Sequence, residues 1–175
     1  GLQLYVAIAD VSFFVKPKSI IDEEALKRGN STYFPDKVIP MLPEDLSNRL
    51  CSLKERSPKK AIVVKIKLDC KGNKISHEFI RGIITVKKNY SYENFDAYLS
   101  TDNTKNRFID YKKALDVLQQ SQLLNKRLNL NLAEKKVTLS EEGFPTDLYE
   151  KSSLKSNQLI EMMMILANIC VSETL

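Results

Sequence analysis

Three residues in this chain have types and spacings that could do chemistry. Asn157, Glu161 and Asn168 stand four and seven residues apart in a stretch otherwise made of Leu, Ile, Met and Ala. At helical pitch this puts them on one narrow polar stripe of an apolar helix. A carboxylate in such surroundings is costly to bury unpaired, so Glu161 needs a partner: a neighbouring Arg or Lys, or the hydroxyl of a bound ligand. Asp10 follows the apolar run Leu2 to Ala9. An acid at the end of a buried strand is often catalytic, but it can equally cap the turn into Val11 and Ser12, and capping is the preferred reading. Tyr33 and Phe34 lie in GNSTYFPDKVIPMLPEDLSNRLCSL, from Gly29 to Leu53. Pro35, Pro40 and Pro43 forbid a continuous helix or a central strand there. The run is still rich in apolar residues, so it reads as a long, stiff, packed segment suited to a binding wall.

Other chemistries are poorly supplied. His77 is the single histidine, so a triad or a His-rich metal site must use it or be absent; it sits in a strand with no second ligand nearby and reads as structural. Cys51, Cys70 and Cys170 are widely spaced and form no C-x-x-C pair, which argues against a zinc site or a disulfide framework and for reduced thiols in a cytoplasmic setting. The 27 Lys and Arg against 22 Asp and Glu leave a charge of +5, which permits an anionic partner without demanding one. The longest apolar run, Leu159 to Val171, is interrupted by Glu161 and Asn168 and is too short for a membrane span.

The elements that must position these residues follow from pattern. Leu2 to Ala9 is a strand expected to be covered on both faces. Asp22, Glu23 and Glu24 ahead of Lys27 and Arg28 describe a short helix closed by Gly29. Pro43, Glu44 and Asp45 start another that runs to about Leu50. Lys54 to Lys60 is a basic connector, read first as a solvated loop, although in a nucleic-acid enzyme such a run could touch phosphate. Ala61 to Leu68 alternates as a half-buried strand, Lys71-Gly72-Asn73 turns the chain, and Ile75 to Lys87 returns beside it. Tyr90 to Glu93 opens a short helix, Thr101 to Asn106 is a polar loop, and Arg107 to about Asn125 is an amphipathic helix. Lys135 to Leu139 and Thr146 to Glu150 are short strands about Glu141-Glu142-Gly143, and the last helix carries Glu161. The expected class is α+β: a mixed, largely antiparallel sheet with packed helices. Both ends look cut, so residues 1–175 are expected to be part of one domain.

At these residues the chain resembles a known family. RGNSTYFPDKVIPMLPEDLSNRLCSL, preceded by VAIADVSFFVKPKSIIDEEA, is similar to the catalytic domain of the ribonuclease II and ribonuclease R family, processive 3′ to 5′ exoribonucleases. SNQLIEMMMILAN, from Ser156 to Asn168, looks like that family's "S-x-x-L-I-E-E" helix, and Tyr90-Ser91-Tyr92-Glu93 falls where it carries "L-T-Y-E".

The resemblance implies that single-stranded RNA is threaded to a buried site. There a base is clamped between aromatic rings, and Mg²⁺ held by clustered aspartates activates the attacking water. It places Tyr33 on the stacking tyrosine and Glu161 on the acid that contacts ribose near the scissile end, the two looking into one cavity. The second Glu of the helix is Met162 here. The second stacking aromatic, in a "D-F-D-L-P-E" type segment, is replaced by Leu130, which fills space but offers no π face. The "D-I-D-D" type aspartate motif, the "L-R-R-Y" type segment and the flanking RNA-binding β-barrel domains are not in this sequence. The chain is therefore expected to bind no Mg²⁺ and to be inactive alone. A non-catalytic RNA-binding relic and an unstable fragment of a broken gene remain alternatives.

Overall fold

The computed structural model describes residues 1–100, 108–121, 124, 135–150 and 154–175. Its centre is a three-stranded antiparallel sheet in the order β1-β4-β5, formed by β1 (Leu2–Ala9), β4 (Pro58–Leu68) and β5 (Lys74–Thr85). Alternation drives β4: Ala61, Val64, Ile66 and Leu68 are buried while Lys67 is exposed. The basic connector is shorter than expected, because Lys59 and Lys60 already pair with Ile84 and Ile83. The β4–β5 turn is held by Asp69, whose carboxylate accepts from the backbone N–H groups of Lys71 and Asn73, both at 2.8 Å. The hydrogen bond from the Asn73 side chain, together with those two, holds its carboxyl below the ordinary range.

β1 departs from the expectation that both its faces are covered. Among the described strands it lies at the sheet edge: Leu4 is buried, Tyr5 on the opposite face is half exposed, and Ile8, on the face of Leu4 but near the strand's end, is half exposed as well. Its apolar character comes from residues on both faces of the pleat, only one of which meets described residues.

Two helices precede the segment expected to form the binding wall. α1 (Val11–Phe14) is a single turn capped by Asp10, so the capping reading of that acid holds. α2 (Ile20–Arg28) begins at Ser19, whose Oγ accepts from the Asp22 N–H at 3.3 Å, while Asp22 Oδ2 accepts from the Lys18 N–H at 2.7 Å. It ends at Gly29, where φ is +73° and the N–H bonds back to Ala25 O.

The run from Gly29 to Leu53 is not the packed segment its apolar content suggested. It folds into a small hairpin, β2 (Thr32–Tyr33) against β3 (Val38–Ile39), followed by a wide π-helical turn over Asp45–Leu50. Leu46 and Cys51 are buried, but Tyr33, Phe34, Val38 and Ile39 are exposed. The prolines allow this hairpin because Pro35 lies in its turn and Pro40 just beyond its last pair, where no strand N–H is required.

Helices α3 (Tyr92–Ser100), α4 (Ile109–Gln119) and α5 (Lys155–Thr174) pack together, and α5 also meets β1. The core joins Leu4, Val64, Ile66 and Leu68 of the sheet to Leu115 and Leu118 of α4 and to Leu159, Met162, Leu166 and Cys170 of α5. Each fully buried aliphatic side chain contributes about 1.5–3 kcal/mol. Strands β6 (Lys135–Leu139) and β7 (Pro145–Glu150) form a separate two-stranded hairpin. The loop from Thr101 to Asn106 and most of the chain beyond Gln120 expected to extend α4 lie outside the described residues.

α5 is fastened at both ends. Near its start, Ser156 donates its backbone N–H to Asp96 Oδ1 at 3.1 Å and its hydroxyl to Tyr92 O at 2.9 Å. Near its end, Lys74 pairs with Glu173, and His77 Nε2 meets Thr174 Oγ1 at 2.9 Å. His77 therefore ties β5 to the last helix, in keeping with a structural role.

Candidate nucleic-acid interface

The β2–β3 hairpin presents the aromatic pair. Tyr33 is 77% exposed and Phe34 46%. The hairpin is fixed by backbone geometry rather than by burial of its rings: Phe34 N–H bonds to Lys37 O at 2.8 Å across the turn. At its base, Arg28 Nη1 donates to Pro40 O at 2.8 Å and Met41 N–H donates to Ser31 Oγ at 2.9 Å. Lys37 Nζ lies 5.6 Å from the Phe34 ring centroid, which leaves a cation beside an exposed aromatic pair.

Glu161 lies on an exposed face of α5, with Ile160 and Met164 exposed near it. The polar stripe splits by role: Asn157 Oδ1 accepts the Leu154 N–H at 3.2 Å as a cap, while Asn168 reaches a cavity wall. Met162, where the resemblance expects a second acid, is 4% exposed and belongs to the core. The substitution therefore removes a charge from the helix's inner side and adds packing there. Leu130 lies outside the described residues.

Two cavities flank the exposed turn of α5. One, of about 580 Å³, runs between β1 and α5 and is lined by Tyr5, Ile8, Ile160, Met164 and Asn168 among others. The second, of about 420 Å³, is walled by Tyr90, Tyr92, Phe95, Phe108 and Tyr111, with Lys88 and Ile160 at its edge. Tyr98 and Phe108 stack at 4.4 Å between centroids, and Tyr90 meets Phe95, Tyr98 and Phe108 at 5.4–5.8 Å. Sequence reasoning missed this cluster. Its signal was the density of Tyr and Phe between residues 90 and 111, read there as helix starts and core packing.

A third cavity, of about 320 Å³, lies beyond the end of β1 and contains Asp10 and Arg81. Asp10 is 2% exposed. It accepts from Arg81 Nε at 2.5 Å, from Arg81 Nη2 at 3.0 Å and from Ser12 Oγ at 2.7 Å. The hydrogen bonds from Arg81 are the main reason that its carboxyl is held at about 2, against an ordinary 3.8. The same pairing raises the pKa of Arg81. Asp10 is thus an ionised anchor, unsuited to proton transfer near neutral pH. Burial pushes the thiols of Cys51 and Cys170 up, away from nucleophilic use.

Tyr33 and Glu161 line none of these three cavities. Among the described residues no three His, Cys, Asp or Glu side chains converge as a metal site, so these residues do not fit a Mg²⁺ centre. No described helix is long and apolar enough to cross a membrane.

The model of the RNB domain matches residues 1–175. The chain is 34% identical to ribonuclease R of Ureaplasma parvum, over 97% of this chain and 24% of that protein. It is also 34% identical to ribonuclease R of Thermotoga maritima, over 97% of this chain and 25% of that one. Mycoplasma genitalium RNase R, solved in complex with ribose methylated single-stranded RNA, superposes with a TM-score of 0.86 at 31% identity, covering 96% of this chain and 27% of that structure. The chain spans about a quarter of the length of these relatives.

Proposed function

The chain belongs to the RNB-domain family, and from that premise we propose that it is the central part of an enzyme that hydrolyses single-stranded RNA processively from the 3′ end to nucleoside monophosphates. The observation that carries this reading is the exposure of Tyr33, 77%, on a hairpin within the matched region. A solvent-facing tyrosine held by backbone bonds costs little to expose and is ready to stack on a base. Such stacking contributes about 1–3 kcal/mol per base and tolerates every base, as a sequence-independent nuclease requires.

In this reading Tyr33 stacks on a base near the 3′ end, Glu161 accepts a hydrogen bond from a ribose hydroxyl, and Leu130 fills the opposite side of the clamp without a π face. Residues 1–175 supply part of the catalytic domain and have no nuclease activity alone. The full enzyme uses Mg²⁺ in this reading. Flanking domains of the same protein guide the strand. A cytoplasmic location belongs to this reading, and the three free cysteines fit it.

The test is digestion of one single-stranded RNA labelled in turn at each end, with the full protein and Mg²⁺. The 3′ label should appear as nucleoside monophosphate from the earliest times while the 5′-labelled strand shortens. Internal fragments appearing first, or release of the 5′ label first, would overturn the reading.

A further inference from the structure

The cavity beyond β1 carries a charge imbalance that the fold itself does not explain. Asp10, Phe13, Lys16, Lys60, Arg81 and Gly82 line it, which sets one carboxylate against three cations. Asp10 is already balanced by Arg81, through two parallel hydrogen bonds. Among the described residues no carboxylate lies within ion-pair distance of Lys16 or Lys60. Both ammonium groups gather about a single ring: Lys60 Nζ is 3.9 Å and Lys16 Nζ 5.2 Å from the Phe13 centroid, with Lys16 also donating to Ser12 O at 3.4 Å. The two like charges repel each other, and an anion placed between them would relieve that repulsion.

Arg81 completes the arrangement. Its Nε and Nη2 are used by Asp10 and Ser12, which fix the plane of the guanidinium, while Nη1 donates to no described residue. The side chain is 59% exposed although its carboxylate partner is buried. A guanidinium locked on one edge and open on the other, beside two ammonium groups, suits a phosphate with several oxygens. Phe13, 41% exposed, offers an apolar edge to a neighbouring sugar.

We propose that this cavity is a phosphate site for the backbone of a nucleic-acid strand, in which Lys16, Lys60 and the open edge of Arg81 hold a phosphodiester and Asp10 with Ser12 holds Arg81 in place. It rests on the RNA reading above and adds an interaction made by none of Tyr33, Leu130 and Glu161. Because it engages the backbone alone, it positions a strand without reading its sequence.

The test is binding of fluorescent oligouridylate and oligoadenylate to the full protein across a range of KCl concentrations, with Mg²⁺ withheld to prevent cleavage. Lys16→Ala/Lys60→Ala should weaken both oligomers by the same factor. It should also reduce the slope of log K against log salt by about 0.7 for each phosphate that is no longer neutralised. Lys16→Arg/Lys60→Arg should keep the slope. If the alanine pair binds with unchanged affinity and slope while Tyr33→Ala still weakens binding, the phosphate site is overturned and the RNA reading stands. If the unaltered protein binds neither oligomer, both fall. Inorganic phosphate that occupies the cavity as tightly as the oligomers would overturn assignment to a strand.

Discussion

Arg81 and Asp10, 71 positions apart in sequence, meet through two parallel hydrogen bonds at 2.5 and 3.0 Å and pin the middle of β5 to the end of β1. The pair spans the sheet, because β4 lies between those strands. Asp10 also accepts the Phe13 N–H at 3.2 Å, so one carboxylate both caps α1 and closes the sheet.

This pairing makes a pH prediction with a definite sign. The Asp10 carboxyl titrates near 2 in the folded chain, against an ordinary 3.8, so its contribution is fully present above 3.8 and is lost as pH falls towards about 2. Asp10→Asn should lower Tm at neutral pH and flatten the fall in stability over that acid window. Parallel acid limbs for the two proteins would show that the pair does not act through the ionised carboxylate.

Gly72 and Gly29 give a matched comparison. Both have positive φ, +78° and +73°. A Cβ at Gly72 would come within 2.5 Å of the Val117 carbonyl oxygen, whereas one at Gly29 would meet nothing within 4 Å. Gly29→Ala should cost about 1–2 kcal/mol from backbone conformation. Gly72→Ala should cost more in denaturant unfolding, because the β4–β5 turn must also move away from α4. Equal losses would mean that the turn and helix are not held together.

The reach of the sequence differed from element to element. Alternation marked β4, and the charges and Gly29 marked α2, because those signals are local. The family resemblance likewise rested on contiguous blocks. The covering of β1 and the packing of residues 29–53 were misjudged for a common reason: apolar content reports that a surface is to be covered, not which element covers it. The Asp10–Arg81 pair and the Phe13, Lys16 and Lys60 cluster depend on strand register between distant segments, which no local pattern carries.

Met162 tests whether the departure in the last helix is a packing choice. It is 4% exposed and packs in the core, so Met162→Glu should destabilise the domain by about 3 kcal/mol or more through an unpaired buried charge. Met162→Leu should cost less than about 1.5 kcal/mol. A glutamate variant as stable as the parent would indicate a partner for that carboxylate.

The most direct test is the end product left from a 5′-labelled single-stranded RNA digested to completion by the full protein and by its Tyr33→Ala variant. With the stacking ring removed, the residual oligomer should change in length by at least one nucleotide, while the rate of shortening changes less. An identical final product from both proteins would contradict a role for Tyr33 at the end of the bound strand.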